Sequence, residues 1–378
     1  MKKIYCIIIS AILICSVSIC SYAENTLGLT SQAAILTEAS TGAVLYEHNI
    51  HQSLPPASIT KIMTMLLVME AIERGDVKYD TIVTASERAK SMGGSTIFLD
   101  TNEQMCMNDL LKGIAVASAN DACVSVAEHL CGTVEAFVDR MNIRAKELGM
   151  KDTHFVNCNG LDAEGHVSSA YDIAVMSREL LKHTDIFKYT NIWMDSLRDG
   201  KFQLANTNKL IRFYKGANGL KTGSTSMAKC CISATAKRDG MQLIAVILAA
   251  PTSKERFADA SSLLNYGFSN YGAVPFCEKG SEVEEIAVKD GKSNHVVGVA
   301  EDASAVIVKK ENLKSVKTHI NLPENVSAPI KKGQKLGEIV ITLDGETIGS
   351  TDIVAKNSVD KKGFSDFFKE LIFAYIKK

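Results

Sequence analysis

An uncharged apolar segment, Ile62–Met69, follows closely on the proline pair Pro55-Pro56 and limits what this part of the chain can form. Proline suits the approach and first turn of a helix but not its interior, so the pair marks a helix start. An apolar run without charges is typical of a buried helix. We therefore expect a central buried helix that begins near Ser58 and ends at Gly75.

Ser58 and Lys61 are three residues apart at the start of this helix, so both side chains lie on one face. A serine becomes a good nucleophile when a base takes its proton, and a lysine can do so if its pKa is lowered. Burial or a second cation lowers that pKa. Free N–H groups in the first turn could bind an oxyanion. Taken alone, the pair fits a capping serine and a solvated lysine better.

The N-terminus has the layout of a secretory signal peptide. Lys2 and Lys3 precede an apolar run from Ile4 to about Ile19, and Ser21-Tyr22-Ala23 is a small-x-small cleavage site. The alternative is an uncleaved membrane anchor, for which the run is short. We expect residues 1–23 to be removed and the protein to be exported, to act at the outer face of the cytoplasmic membrane or in the cell wall.

Length and composition narrow the remaining possibilities. A chain of 378 residues favours two domains. The 42 basic and 43 acidic residues nearly cancel, which gives no electrostatic attraction to nucleic acid. The cysteines beyond residue 23 are irregularly spaced, so we expect buried free thiols instead of a disulfide scaffold. The histidines lack metal-ligand spacing, and no metal or cofactor is expected.

The order of elements predicts an α+β fold. Two short strands are expected between Gln32 and Glu47, and two apolar strands, Lys229–Ala236 and Met241–Leu248, are joined by a turn at residues 238–240. Amphipathic or buried helices are predicted between and after them, at Asn120–Leu130, Phe137–Leu148, Tyr171–Leu181 and Ser253–Tyr266. Strands at both ends with helices between them suit an antiparallel sheet flanked by helices.

A second compositional region begins near Pro275. Short Val/Ile/Thr runs are separated by Asp-Gly and Lys-Gly turns, which predicts a small all-β domain. The tail repeats apolar residues at helical spacing and ends in Lys377-Lys378. We expect a main domain at 24–274, the β domain at 275–360, and an amphipathic helix at 361–378. That helix is expected to lie on a membrane surface, although it could instead dock on the β domain.

Two further motifs follow the serine–lysine pair. Ser118-Ala119-Asn120 comes about sixty residues after Ser58, and Lys221-Thr222-Gly223 about a hundred residues later. S-x-x-K, S-x-N and K-T-G in this order are the signature of the penicillin-binding protein and serine β-lactamase superfamily. The chain resembles the D-alanyl-D-alanine carboxypeptidases of peptidase family S11, the low-molecular-mass penicillin-binding proteins. The resemblance covers nearly the whole chain, and three local strings agree as well as the motif order: Pro56–Thr64, Asn157–Asp162 and Gly219–Gly223.

The resemblance implies a β-lactamase/transpeptidase-like fold and a set of catalytic roles. Ser58 would attack the terminal D-Ala-D-Ala bond of a peptidoglycan stem pentapeptide and form an acyl-enzyme. Lys61 would take the serine proton, Ser118 would relay it to the leaving amine, and Asn120 would orient Lys61 and bind the substrate amide. The backbone N–H groups of Ser58 and Ser224 would form the oxyanion hole. β-Lactams would acylate the same serine and act as inhibitors.

The resemblance also implies substrate-binding roles. Lys221 would meet the substrate carboxylate and help to keep the catalytic lysine neutral. Thr222 would hydrogen-bond that carboxylate, and Gly223 would let the substrate backbone lie along its strand. Arg256 matches an arginine that holds the carboxylate, although it could be an ordinary surface arginine of its helix. The residues after the motif, 224–229, depart from the glycine-rich turn found in many relatives.

Three alternatives to a carboxypeptidase remain. A class A β-lactamase would need a glutamate on an E-x-x-L-N string, which this sequence lacks. A D,D-endopeptidase would use the same residues, so the motifs do not distinguish it. A non-catalytic wall-binding scaffold would not need the full set of motif residues.

Overall fold

The structure is a computed structural model, and it describes residues 27–366, 368 and 372. The predicted signal peptide lies outside these residues, as does most of the predicted C-terminal helix. Both remain predictions.

Residues 27–270 combine nine strands with nine α-helices. The strands are β1 (Ala33–Glu38), β2 (Val44–His48), β3 (Ile82–Thr84), β4 (Gln104–Cys106), β5 (Met194–Leu197), β6 (Phe202–Ala205), β7 (Ala217–Thr225), β8 (Lys229–Arg238) and β9 (Met241–Ala250). The helices are α1 (Lys61–Arg74), α2 (Glu87–Lys90), α3 (Met107–Lys112), α4 (Asn120–Cys131), α5 (Val134–Glu147), α6 (Ala170–Lys182), α7 (Phe187–Thr190), α8 (Leu210–Phe213) and α9 (Ser253–Asn270).

The main sheet is antiparallel and has the strand order β2-β1-β9-β8-β7. Along β9, Ile244, Val246 and Leu248 pack into one hydrophobic cluster, whereas Leu243, Ala245 and Ile247 pack into another. Successive side chains of a strand point to opposite faces, so both faces of the sheet are covered. This explains why β9 reads as a continuous apolar run and not as an alternating one.

Helices cover the two faces unequally. Helices α1, α4, α5 and α6 contribute to the larger cluster, and α9 packs on the opposite face through Ala260, Leu263 and Leu264. The prediction of an antiparallel sheet flanked by helices is confirmed. The hairpin β5–β6 and helix α8 were not predicted, because each of these elements has only four residues and gives little periodic signal.

The start of the central helix differs from the expectation in one respect. Ser58 lies in a 3-10 turn, Ala57–Thr60, and the α-helix itself begins at Lys61. Gly75 ends the helix in a left-handed conformation, with φ 81°. The tighter turn still places the side chains of Ser58 and Lys61 on the same face, because side chains at i and i+3 eclipse in a 3-10 turn.

Residues 271–361 form the predicted all-β region. Its strands are β10 (Tyr271–Cys277), β11 (Glu282–Lys289), β12 (His295–Ala300), β13 (Ser304–Lys309), β14 (Val316–Asn321), β15 (Asn325–Ser327), β16 (Lys335–Leu343) and β17 (Glu346–Ala355). Six of them form a sheet of order β14-β16-β17-β12-β11-β15, and β10 pairs with β13. The expected boundary at residue 275 falls inside β10, which follows directly on α9.

The described part of the tail is helical at residues 364–366, 368 and 372. Phe364 and Phe368 stack on each other and are 88% and 56% exposed. Among the residues that the structure describes, no helix is both long enough and apolar enough to cross a membrane.

The seven described cysteines are all free thiols. Cys123, Cys158 and Cys231 are buried as expected, whereas Cys106, Cys131, Cys230 and Cys277 are half-buried. Free thiols in this part of the chain agree with the expectation from the sequence. The expectation that these thiols are buried is wrong for four of the seven.

Gly267 lets α9 approach the sheet closely, and this generates a stability prediction. A Cβ at this position would lie 2.6 Å from Leu243 Cδ1 and 2.8 Å from Leu36 Cδ2. Overpacking a core costs about 1–3 kcal/mol, whereas alanine gains up to about 1 kcal/mol over glycine in a helix. We therefore expect Gly267→Ala to lower the free energy of unfolding by about 1 kcal/mol in urea denaturation.

The matched control is the same substitution in a Leu243→Val background, which removes the Cδ atoms of residue 243. There Gly267→Ala should cost less than in wild type, because of the two close contacts only the one with Leu36 Cδ2 remains. Equal effects in the two backgrounds would show that the close approach does not limit residue 267.

Candidate active site

Ser58 and Lys61 are in direct contact. The Lys61 Nζ lies 3.0 Å from the Ser58 Oγ. Ser58 is half-buried, whereas Lys61 is 0% exposed despite its ionisable head. A lysine this deeply buried is not the solvated first-turn lysine of the simpler interpretation. The pair therefore has the geometry of a nucleophile and its base.

Two carbonyl oxygens also accept hydrogen bonds from the Lys61 amine. These are Asn120 Oδ1 at 2.6 Å and the main-chain oxygen of Asn159 at 2.5 Å. Neither oxygen can donate a proton. A neutral amine has two N–H groups and one lone pair, so the two carbonyls take both hydrogens. The lone pair is then left for the hydroxyl of Ser58.

Burial lowers the pKa of Lys61, and the nearby Cys123, Cys158 and Asp121 oppose that effect only in part. A lowered pKa matters here because only the neutral amine can accept the serine proton. The lysine is thus held in a dry site that favours its basic form.

Asn120 connects Lys61 to a neighbouring loop. Its Nδ2 donates to the main-chain oxygen of Gly93 at 2.7 Å, and its backbone N–H donates to the oxygen of Ser95 at 2.7 Å. The side chain is buried, so both ends of its amide are engaged. Because of these bonds, the amide orientation is set by the fold and presents its oxygen to Lys61.

Ser118 lies two residues before Asn120, at the end of a π-helical turn formed by Gly113–Ala117. Its backbone is left-handed, with φ 63° and ψ 33°, and the residue is 5% exposed. Such a conformation costs a non-glycine residue about 1–3 kcal/mol and tends to occur at functional sites. π-Helical turns are also frequent at such sites.

Lys221 is the second buried lysine, 1% exposed, on strand β7. Its Nζ donates to the main-chain oxygen of Thr222 at 2.9 Å. Burial lowers the pKa of Lys221 well below its usual value, and the positive charge of Lys61 lowers it further. Burial is therefore the main reason why Lys221 resists protonation, and a charge on Lys61 would add to it.

Residues 222–224 follow Lys221 on strand β7. The Thr222 hydroxyl donates to the Thr207 hydroxyl at 2.7 Å, and the exposed Ser224 has its Oγ 3.7 Å from the Cys230 Sγ. A Cβ on Gly223 would lie 2.9 Å from both the Ala57 Cβ and the Ser58 backbone nitrogen. Glycine is therefore required at position 223 because the strand packs directly against the turn that carries Ser58.

Arg256, on helix α9, lies against this strand and is 6% exposed, so it is not a surface arginine of its helix. Its guanidinium donates to the main-chain oxygens of Gly223 at 3.1 Å and Cys231 at 3.4 Å. It also donates to the hydroxyl of Ser253 at 3.0 Å. Burial lowers the pKa of Arg256. These bonds tie α9 to the edge strand of the site.

Sequence reasoning missed the role of Asn159, whose contribution comes from its main chain. The local signal was the string Asn157-x-x-Gly160: the Asn157 Oδ1 accepts from the Gly160 backbone N–H at 2.7 Å and shapes the turn. Gly160 has φ 85°, and a Cβ there would overlap the Ala57 carbonyl oxygen. The turn therefore requires glycine.

Asp162 anchors the loop that carries Asn159, a role that the sequence did not indicate. Its carboxylate accepts from the Thr225 hydroxyl at 2.6 Å, the Ser226 hydroxyl at 3.2 Å and the Met227 backbone N–H at 3.4 Å. It thus fastens the 157–166 loop to the turn between β7 and β8. This anchor lies in the segment where the sequence departs from a glycine-rich turn.

Comparison with known proteins identifies two family regions. The family model for peptidase S11, D-alanyl-D-alanine carboxypeptidase, matches residues 21–252. The model for the C-terminal domain of penicillin-binding protein 5 matches residues 271–361. The two matches together cover most of the chain.

Individual relatives agree with the family models. The chain is 47% identical over 343 residues to the D-alanyl-D-alanine carboxypeptidase DacF of Bacillus subtilis, covering 90% of this chain and 88% of that protein. The structure of penicillin-binding protein 5 from Haemophilus influenzae superposes with a TM-score of 0.77 at 33% identity, covering 88% and 98%.

Penicillin-binding protein D2 of Listeria monocytogenes, solved in an ampicillin-bound form, superposes with a TM-score of 0.59 at 32% identity, covering 64% of this chain and 99% of that one. The fold is therefore β-lactamase/transpeptidase-like, with a C-terminal all-β region.

The tight packing at Gly223 generates a prediction. Gly223→Ala places a methyl against the backbone nitrogen of Ser58, so we expect acylation by benzylpenicillin to slow at least about 100-fold, as misplacement by roughly 1 Å can do. Intact-mass spectrometry measures the rate.

Gly240→Ala is the control. This glycine turns the β8–β9 hairpin with φ 79° and open space around it. The control should lower thermal stability but leave acylation unchanged. Equal acylation by wild type and Gly223→Ala would contradict the packing argument.

Proposed function

The chain belongs to peptidase family S11 and is a D-alanyl-D-alanine carboxypeptidase, and we propose that Ser58 is its nucleophile and Lys61 its base. The observation that carries this proposal is the environment of the Lys61 amine. It contacts the Ser58 hydroxyl at 3.0 Å and two carbonyl oxygens that can only accept. This arrangement suits a neutral lysine ready to receive the serine proton.

Acylation proceeds by attack of the Ser58 Oγ on the carbonyl carbon of the penultimate D-alanine. The hydroxyl proton moves to the Lys61 Nζ as the new C–O bond forms. The peptide C–N bond then breaks, and the amine of the terminal D-alanine leaves with a proton that Ser118 relays from Lys61. The product is an ester on Ser58 and free D-alanine.

The developing oxyanion is bound by the backbone N–H groups of Ser58 and Ser224. One such donor contributes about 10²–10³ in rate. The contact between β7 and the Ala57–Thr60 turn supports this pairing, because Gly223 lies against the Ser58 nitrogen.

The terminal carboxylate of the substrate is recognised by positive charge and hydroxyl groups. Lys221 and Thr222 supply these from β7, and Arg256 supports the same strand from α9. Arg256 also has a buried Nε without a hydrogen-bond partner among the described residues. That donor is consistent with a role in holding an anion.

Water hydrolyses the ester in the second half of the reaction. The substrate is the peptidoglycan stem pentapeptide. β-Lactams acylate the same serine through opening of their ring, and the ester that they form is hydrolysed slowly. The lack of an E-x-x-L-N string supports slow release of penicillin, because no glutamate is supplied in that form to activate water.

The site acts outside the cytoplasm, at the membrane or cell wall, in keeping with a family of cell-wall enzymes. Export through residues 1–23 is part of this proposal. Membrane association through residues 361–378 remains a prediction whose main support is the exposure of Phe364 and Phe368.

Loss of the nucleophile should abolish chemistry without unfolding the protein. We expect Ser58→Ala to form no benzylpenicillin adduct and to release no D-alanine from a pentapeptide, with the thermal midpoint nearly unchanged because Ser58 is half-buried. Intact mass, peptide mapping and a D-alanine assay measure this. A wild-type-like adduct on the variant would place the nucleophile elsewhere.

The proposed role of Lys61 as base predicts how the acylation rate depends on pH. Because burial lowers the pKa of Lys61, acylation by wild type should rise with pH through a pKa below 10.5 and fall at lower pH as the amine is protonated. Lys61→Arg keeps a charge that does not titrate and should cut the rate by about 10⁴–10⁶-fold at every pH. A Lys61→Arg enzyme with the wild-type pH profile would exclude Lys61 as the base.

A further inference from the structure

The residue before the proposed nucleophile has a strained backbone. Ala57 has φ 49°, in the left-handed region that non-glycine residues avoid, and it is 1% exposed. Strain of this kind persists only where surrounding contacts hold it. The contact on the carbonyl side is clear: the Ala57 oxygen accepts a hydrogen bond from the Thr60 hydroxyl at 2.8 Å.

His166 holds the Thr60 hydroxyl in turn. Its Nε2 lies 2.8 Å from the Thr60 Oγ1, and its Nδ1 accepts from the Val156 backbone N–H at 2.9 Å. Since Nδ1 accepts, the ring hydrogen is on Nε2 and is donated to Thr60. The single hydroxyl hydrogen of Thr60 is then free for Ala57. Valence thus fixes the direction of every bond from Val156 to Ala57.

The same ring closes the base of the 157–166 loop, because the hydrogen bond from the Val156 N–H to His166 joins the two ends of this loop. This loop carries the Asn159 oxygen that takes a hydrogen from Lys61. It also carries Gly160, which packs on the Ala57 carbonyl. One imidazole is therefore connected to both the turn of the nucleophile and an acceptor of the base.

We propose that His166, as the neutral tautomer with hydrogen on Nε2, is a positioning residue that acts through Thr60 on Ser58 and through the loop on Lys61. The inference rests on the proposed roles of Ser58 and Lys61. His166 itself is 3% exposed, and its ring nitrogens are hydrogen-bonded to Thr60 and Val156 and not to Ser58 or Lys61, so its effect is on geometry and not on proton transfer.

The surroundings of His166 favour the neutral ring. Burial lowers its pKa to about 4, and the charges of His154 and Lys61 act in the same direction, whereas Asp162 opposes them. The ring also lies 5.9 Å from the ring of Phe155, centroid to centroid. A proton on Nδ1 would face the Val156 N–H with a second donor and break that bond.

The test measures acylation by benzylpenicillin with intact-mass spectrometry, together with thermal midpoints. His166→Gln keeps one acceptor and one donor at the end of a planar group, so it should acylate within about threefold of wild type. His166→Phe keeps a ring but loses both bonds, so it should acylate at least about tenfold more slowly. Thr60→Val should resemble His166→Phe, and Thr60→Ser should resemble wild type.

The outcomes separate this inference from the proposed function. Wild type with no adduct on Ser58 would overturn the proposed mechanism. If wild type forms the adduct, but wild type, His166→Phe and Thr60→Val are acylated at equal rates, only the positioning role is overturned. If His166→Phe does not fold, the comparison of Thr60→Val with Thr60→Ser decides. A His166→Gln rate as low as that of Thr60→Val would also contradict the proposed bond pattern.

A second measurement tests the neutral state. A histidine held neutral in the folded protein contributes stability that is fully present above pH 6.5 and is lost as the pH falls through about 4. Urea denaturation should therefore show a smaller loss of stability between pH 7 and pH 5 for His166→Gln than for wild type. Equal losses would show that His166 does not titrate as proposed.

Discussion

The burial of one amine organises this site. Lys61 sits at 0% exposure in the first turn of a helix that the core surrounds, where a charged head would be costly. The fold supplies three polar contacts for it, from Ser58, Asn120 and the main chain of Asn159. Two of these can only accept, so the number of hydrogens that a neutral amine offers matches what its neighbours require.

That arrangement depends on the close packing of two backbone segments against the turn that carries Ser58. On one side, Gly223 of β7 lies against the Ser58 nitrogen, and on the other Gly160 lies against the Ala57 carbonyl. Neither position has room for a methyl group. The sheet makes the first contact possible, because β7 is its edge strand and is free to face the turn. The 157–166 loop makes the second, and Asp162 anchors that loop to the end of β7.

The sequence was most informative where side-chain pattern and element type agree. The two-strand start, the central helix and the apolar β8–β9 hairpin were predicted with boundaries within a few residues. Ser58, Lys61 and Asn120, widely separated in the chain, are joined by direct contacts. The short hairpin β5–β6 and the 3-10 form of the turn that carries Ser58 were not predicted. Four-residue strands and a single tight turn have no periodicity to detect.

The sequence alone determined the order of the three motifs, the α+β class and the chemical types of the groups in the site. Only the tertiary structure decided how those groups are held. The Asn159 acceptor is a main-chain carbonyl, which every residue has, so no letter in the sequence marks it. The burial of Arg256 under β7 and the need for glycine at position 223 likewise arise from contacts between distant segments. Such contacts depend on the path of the backbone, and a local pattern of residues does not contain that path.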